Sequence, residues 1–326
     1  MTTLQEVAER AGCSLATASR ALNASGSVSQ TAMRRVRKAA ADLGYRVPPP
    51  ATRRAAGRPV IGVLIPSVTN PVFAASLSSI QNRMLVAGHG VLIAQSNYDP
   101  VQEADAVAAL LTERPTGLIL TLCDAENSRV LKQPLPPTVL LNNRPTTGFP
   151  AAVTVDNREA GRLITRHLVT LGHRRILFIS GDFRASDRAR LRYDGYLDVL
   201  RQEGLPDFAA LQIPFIGAPD QLDLSPALAE IAPSAIIASN DLLACGVIGA
   251  LRRLGLSVPG DISVAGFDGI AIGQLMDPAL TTIEMPDASM GAVAASLLLD
   301  IADNGAAPRH LEVGFSLRTG GTARRL

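Results

Sequence analysis

The sequence predicts two folds in one chain: an N-terminal all-α helix-turn-helix headpiece, then an α/β two-lobed domain with parallel sheets. Three observations carry this. The first 45 residues show helical apolar spacing, broken once by a glycine-containing turn. Residues 1–60 hold ten Lys/Arg against Glu6, Glu9 and Asp42, a net of +7, while the rest of the chain nets −5 beneath an overall +2. From residue 60, short apolar runs alternate with amphipathic stretches of 12 to 18 residues, the signature of βα units.

In the headpiece, Leu4, Val7, Ala8 and Ala11 fall at i, i+3, i+4 and i+7, one face of a short helix. Gly12-Cys13-Ser14 interrupts that face, and Ser14 suits the N-cap of a second helix reaching Asn23. Its period puts Ala18 and Leu22 inside, Leu15 inside in part, and Ala16, Thr17, Ser19 and Arg20 outward. Ser29 caps a third helix with Ala32, Val36, Ala39, Ala40 and Leu43 inside and Arg34, Arg35, Arg37 and Lys38 outside; Gly44 ends it. A basic head on an acidic body is what neutralising phosphates requires, and a merely soluble bundle has no need of it.

Residues 46–59, RVPPPATRRAAGRP, lack apolar periodicity and read as a linker, extended through its prolines and able to form a helical turn or two after them. In the body, strands are expected over 60–66, 91–96, 117–122, 138–143, 152–156, 175–180, 235–239, 262–268 and 281–285. Helices are expected over about 71–87, 102–114, 158–171, 188–203, 241–254 and 289–304. So many strands exceed one small sheet, hence two lobes. Ligands of such sheets bind beyond strand C-termini, which singles out Asn70, Val72 and Phe73, then Asn142, Asn143 and Arg144, then Asn240 and Asp241, and finally Asp268. Arg192, early in the helix from 188, comes from another stretch. A carboxylate accepts two vicinal hydroxyls and an arginine offers a planar fork of donors. Each has a plainer role as well: Phe73 as core, Asn240 as a helix cap, Arg192 as a solvated helix residue, Asp268 as a turn. Convergence of four separate segments favours the binding role.

Other classes find no support. The 326 residues are 47% hydrophobic and 4% aromatic with no Trp, and no apolar run reaches membrane length. MTTLQEVAER lacks the layout of a secretory signal, so a cytoplasmic protein is expected. Cys13, Cys123 and Cys245 stand isolated, without the spacing of a disulfide framework or metal site. No P-loop, G-x-S-x-G, H-E-x-x-H or strand-linked G-x-G-x-x-G occurs, and His89, His167, His173 and His310 are scattered. Neither catalysis nor a cofactor is expected.

TLQEVAERAGCSLATASRALN followed by VSQ and DLGY resembles the headpiece of the lactose-repressor (LacI) family of bacterial regulators. IGVLIPSVTNPVF, VDNREAG, LGHRRI, RLRYDGY, SNDLLACGV, VPGDISVAGFD and PALTTI extend the likeness along the body, and the tail resembles the gluconate-operon branch. The resemblance implies a headpiece over 1–45, a hinge over 46–59 and a periplasmic-binding-protein-like domain over 60–326. Its first lobe would span about 60–156 and 288–314, its second about 157–285 and 315–326. It further implies a homodimeric repressor on a pseudo-palindromic operator, double-stranded DNA being one partner and a small effector the other. The second headpiece helix then enters the major groove. Leu15 and Ala16 face thymine methyls, Arg20 reaches guanine or phosphate, and Thr3, Ser14, Thr17, Ser19, Asn23 and Ser29 hold the backbone. Within the cleft, Phe73 lines the wall, Arg192 clamps the ligand and Asp268 accepts its hydroxyls or amines. The expected effector is a sugar acid, its carboxylate paired with Arg192, or a neutral sugar; the alternative is a nucleobase or other metabolite acting as corepressor. Family hinges wedge a leucine between base pairs, but Arg54 stands near that position, so Arg53 and Arg54 are expected to enter the minor groove electrostatically instead. Without a leucine heptad at the tail, a tetramer is not expected.

Overall fold

The computed structural model describes residues 3–23, 28–43, 58–215 and 222–326. The chain divides into two compact units, Met1–Gly57 and Arg58–Leu326. In the first, α1 (Leu4–Arg10), α2 (Leu15–Asn23) and α3 (Gln30–Asp42) enclose Val7, Ala8, Ala11, Ala18, Ala21, Val36, Ala39 and Ala40. Alanine at most of these positions keeps the fully buried centre small, and Leu4, Leu22, Met33 and Leu43 pack around it half-buried. Thr3 opens α1 with a capping box: its Oγ1 accepts from the Glu6 amide at 3.3 Å, and the Glu6 carboxylate accepts from the Thr3 amide at 3.1 Å. Leu15 departs from expectation. It stands at the first position of α2, ahead of the buried face, and is 51% exposed, while Ala21 takes the place at the centre. Gly44 and the linker through residue 57 lie outside the described residues.

The second unit holds two six-stranded sheets. The chain first lays down β1 (Val60–Ile65), α4 (Pro71–Val86), β2 (Gly90–Gln95), α5 (Pro100–Thr112), β3 (Gly117–Leu120), β4 (Thr138–Leu141) and β5 (Ala152–Thr154). It then makes α6 (Asn157–Thr170), β6 (Ile176–Gly181), α7 (Asp187–Gln202), β7 (Leu211–Ile213), α8 (Ser225–Ile231), β8 (Ala235–Ala238) and α9 (Asp241–Arg253). Next come β9 (Ser263–Asp268), α10 (Ala271–Gln274), β10 (Thr281–Glu284), α11 (Asp287–Asn304), β11 (His310–Glu312) and β12 (Ser316–Arg318). Sheet one runs β2-β1-β3-β4-β5-β11 and sheet two β7-β6-β8-β9-β10-β12. Both are doubly wound, with the order reversing beside β1 and β6. All these strand pairs are parallel except β10 with β12. The chain therefore passes between the sheets three times, at 155–156, 285–286 and 313–315.

Strand alternation builds three layers in each lobe. Ile61, Val63 and Ile65 of β1 face Ile80 and Met84 of α4 and Met290 and Leu298 of α11, whereas Leu64 faces Val107 and Leu110 of α5. In lobe two, Ile176 and Phe178 meet Ile164 and Leu168 of α6 and Tyr196 and Leu200 of α7, while Leu177 and Ile179 meet Val247 and Leu251 of α9. Two helix crossings are in backbone contact. A Cβ on Gly161 would collide with the Arg192 carbonyl, fastening α6 to α7, and one on Gly291 would collide with the Ser76 carbonyl, fastening α11 to α4.

The major strands begin where the apolar runs place them. The unexpected elements are β7, β11 and β12, of three residues each, together with α8, α10 and a 3-10 turn at Val130–Lys132. Three residues at a sheet edge contain barely one full alternation, so no period betrays them.

Candidate functional site

Two doubly wound sheets turn their strand C-termini toward one cleft, which has a volume of about 510 Å³ with its open mouth included. Six strand ends deliver polar or aromatic side chains to it. Asn70 follows β1, Tyr98 follows β2, Asn142 follows β4, Asn240 follows β8, Asp268 closes β9, and Asp287 opens α11 after β10. The backbone is forced at three of these ends: Tyr98, Asn142 and Asp268 hold φ of +57°, +69° and +109°. Left-handed conformations at non-glycine residues are costly and are kept where geometry at a site demands them.

Arg192 and Asp268 form the electrostatic centre. The Arg192 guanidinium donates from Nε to Asn157 Oδ1 at 2.8 Å, and from Nη1 to the Ser239 carbonyl at 2.6 Å and Asp268 Oδ1 at 3.2 Å. It also lies over the Phe267 ring, 4.7 Å from the centroid. Asp241, behind the wall, accepts from the Ile270 amide at 2.9 Å and the Thr282 hydroxyl at 2.6 Å. Burial raises the pKa of both Asp241 and Asp268, with their mutual repulsion added at Asp241 and Arg192 drawing Asp268 back. Asp287 is pushed up to about 8 by burial, with a further rise from the Asp268 charge. Near neutral pH this carboxyl carries its proton and can donate a hydrogen bond.

One turn earlier on α7, Arg188 also lines the cleft. Its Nη1 donates to the Leu122 carbonyl at 2.8 Å and to Asp187 Oδ1 at 3.1 Å. The apolar wall is aromatic: Phe73 meets Tyr98 edge-on at 6.4 Å, and Tyr98 stacks on Phe215 at 4.4 Å with 5° between the planes. The stacked pair joins lobe one to lobe two.

Most of the effector residues expected from the sequence converge here. Asn70, Val72, Phe73, Arg192, Asn240 and Asp268 all line the cleft. Two of them also cap helices: Asn70 Oδ1 accepts from the Val72 amide at 3.1 Å and Asn240 Oδ1 from the Leu243 amide at 2.8 Å. Asn143 is the correction. It is fully buried behind the wall, where Oδ1 accepts from the Leu122 amide at 2.7 Å and Nδ2 donates to the Leu122 carbonyl at 3.0 Å. The left-handed turn at Asn142 points that neighbour into the cleft instead. Sequence reasoning missed Arg188, Tyr98, Phe215 and Asp287. Arg188 had a signal, being i−4 from Arg192 and so on the same helix face; the other three follow strand ends without any motif.

In the first unit, three of the expected DNA-contacting hydroxyls cap helices. Thr3 caps α1, Ser14 Oγ accepts from the Thr17 amide at 3.2 Å, and Ser29 Oγ accepts from the Ala32 amide at 3.3 Å. Leu15, Ala16 and Arg20 are exposed along α2, Thr17 and Ser19 are half-buried, and Arg34, Arg35, Arg37 and Lys38 are exposed along α3. Arg53, Arg54 and the side chain of Asn23 lie outside the described residues. Among the described residues, no helix is long and apolar enough to cross a membrane, and no three His, Cys, Asp or Glu side chains are placed to hold a metal ion.

Known proteins share this plan. Residues 3–47 match the family described as bacterial regulatory proteins, lacI family, and residues 165–323 match a periplasmic binding protein-like domain. The chain is 32% identical to the HTH-type transcriptional regulator GalR of Escherichia coli (strain K12), covering 96% of this chain and 93% of that protein. It is also 32% identical to the HTH-type transcriptional regulator GntR of the same strain, covering 98% of each. A crystal structure of the lac repressor dimer bound to operator and the anti-inducer ONPF matches with a TM-score of 0.73 at 28% identity, covering 99% of both chains.

Proposed function

Because the chain belongs to the lacI family of bacterial regulatory proteins, we propose that it is a cytoplasmic, non-enzymatic transcriptional repressor whose grip on operator DNA is set by a sugar or sugar acid. The observation carrying this reading is the convergence of Arg192, Asn240 and Asp268, three separate segments, on one polar cleft between the lobes. Such a cleft, with fixed donors and acceptors and an aromatic wall, suits a small polyhydroxylated molecule.

Two copies present two headpieces to a pseudo-palindromic operator with half-sites about one helical turn apart. Within each, α2 lies in the major groove. Exposed Leu15 and Ala16 meet thymine methyls and Arg20 reaches guanine or phosphate. Thr3, Ser14, Thr17, Ser19, Asn23, Ser29 and the cationic face of α3 hold the backbone, and Arg53 and Arg54 enter the adjacent minor groove.

Effector in the cleft bridges the lobes and favours their approach, which changes the affinity of the headpieces for DNA. A tenfold to hundredfold response needs only about 1.4 to 2.7 kcal/mol of coupling. Mobility shifts with the full chain on promoter fragments, at two salt concentrations and with a panel of sugars and sugar acids, test the reading. Sequence-selective binding altered by at least one panel member is expected. Equal, purely salt-governed binding to every fragment, unmoved by any small molecule, would sink it.

A further inference from the structure

The cleft-facing side of α7 carries two guanidiniums one helical turn apart, and their surroundings differ. Arg192 is engaged at Nε by Asn157 and at Nη1 by Ser239 and Asp268. Arg188 is held at Nη1 alone, by the Leu122 carbonyl and Asp187, while its Nη2 is buried with no hydrogen-bond partner. The whole side chain is only 8% exposed. A buried guanidinium nitrogen with no acceptor is disfavoured, and where one borders a ligand cleft the missing acceptor is expected on the ligand.

We infer that Arg188 is the residue by which the cleft recognises a carboxylate, so that the effector is a small polyhydroxy monoacid rather than a neutral sugar. This rests on the effector cleft proposed above and names the ligand class for it. The carboxylate accepts from Arg188 Nη2 with the Arg192 charge beside it, and the hydroxyls go to Asp268, Asn240 and Asn142. Charge-assisted bonds of this kind are stronger than those from guanidinium to a neutral hydroxyl. A phosphate dianion fits less well. Asp187 at 3.1 Å and Asp268 at 3.2 Å already balance the two arginines, so a second negative charge on the ligand finds no cation to answer it.

The position of Arg188 also ties recognition to lobe closure. Its backbone belongs to α7 of lobe two, yet Nη1 grips the carbonyl of Leu122, which follows β3 of lobe one. An anion on Nη2 therefore settles on a side chain that already spans both lobes.

The test is calorimetric titration of the full-length protein. The probes are D-gluconate, D-galactonate and D-glucuronate, the matching aldoses, and the matching hexose 6-phosphates. At least one acid is expected to bind tenfold or more tighter than its aldose and its phosphate. Arg188→Met should lose that preference, and Arg188→Lys, which keeps the charge but not the fork, should restore part of it. Arg190→Met, whose side chain is half exposed beside Asp124, should bind as the parent does. A thermal melt of each variant guards against misfolding; if Arg188→Met does not fold, Arg188→Lys and the acid-to-aldose ratio of the unaltered protein decide. The inference is overturned if an aldose or phosphate binds best, if Arg188→Met keeps the preference for the acid, or if no acid binds. Operator binding measured on the same samples separates this failure from failure of the regulator reading, since only the latter requires selective DNA binding to be missing.

Discussion

Asn143 and Asp187 fasten the two lobes together. Asn143 Nδ2, at the end of β4 in lobe one, donates to Asp187 Oδ2 at 2.9 Å, at the first position of α7 in lobe two. Beside them the Asp187 amide donates to the Cys123 carbonyl at 2.8 Å, a backbone bond across the same gap. Asn143 thus acts behind the cleft as a clasp, satisfying Leu122 and Asp187 at once.

Asn143→Leu should strand the Leu122 amide and take from Asp187 Oδ2 its Asn143 donor, leaving the carboxylate only partly satisfied by Arg188. Each buried polar group left unsatisfied costs about 1–3 kcal/mol, so the midpoint of thermal unfolding should fall by several degrees. Differential scanning calorimetry of parent and variant checks this; an unchanged midpoint would show that the clasp adds nothing.

Asp268→Ala removes one half of a buried ion pair and leaves the Arg192 charge unbalanced. Breaking such a pair costs about 3–5 kcal/mol, and alanine gains nothing back from the backbone, since φ of +109° is as strained for it as for aspartate. Effector titration should show no binding, while selective operator binding persists. Full effector affinity in this variant would remove Asp268 from the site.

Stability should fall as the pH rises from about 6.5 to 8.5. Asp287 is pushed up to about 8 by burial, and Asp241 and Asp268 move in the same direction. A carboxyl whose folded pKa lies above its unfolded one stabilises fully below the unfolded value, and that contribution is lost as pH rises through the folded value. Asp268, Asp241 and Arg192 are the charged groups acting on Asp287. Opposing contributions lie elsewhere on the scale. His167 and His173, pushed down by burial, give stability that is lost as pH falls below 6.5. Asp198, pulled down to about 2 by the Arg158 hydrogen bond, matters only in strong acid. Asp287→Asn should flatten the decline and raise the melting point at pH 8.5, a chain of 326 residues shifting by no more than about 2–4 °C per kcal/mol. Melting curves across this range provide the check.

Arg20→Ala should weaken operator binding and leave effector affinity unchanged, because Arg20 is exposed on α2 in the other compact unit. If Arg20 reads a guanine, the loss is about 1–3 kcal/mol and selectivity relaxes at one position; if it holds a phosphate, the salt slope drops by about one. Binding isotherms at three salt concentrations distinguish the two, and no effect at all would clear Arg20 of any role.

What the chain disclosed in advance was periodicity and punctuation. The apolar run that becomes the first strand, and the caps at Ser14, Ser29 and Asn240, follow from rules acting over a few residues. Arg192 and Asp268 were legible because strand ends and a helix face point to one place once the sheet order is assumed. Asn143 was misplaced because a one-residue change of direction, made at the left-handed Asn142 with φ of +69°, decides which of two adjacent asparagines meets the cleft. Phe215 and Tyr98 escaped for a related reason: their stacking joins residues more than 100 positions apart, and no local rule reports it.

The Gly161 crossing bears on how a signal leaves the cleft. With Gly161 against the Arg192 carbonyl, no side chain separates α6 from α7 at that crossing. Displacement of Arg192 cannot be dissipated by rotamer changes at that point, because interiors packed this densely do not compress. The pair must move as a rigid lever, without backlash, and a single methyl group at residue 161 would shift its fulcrum.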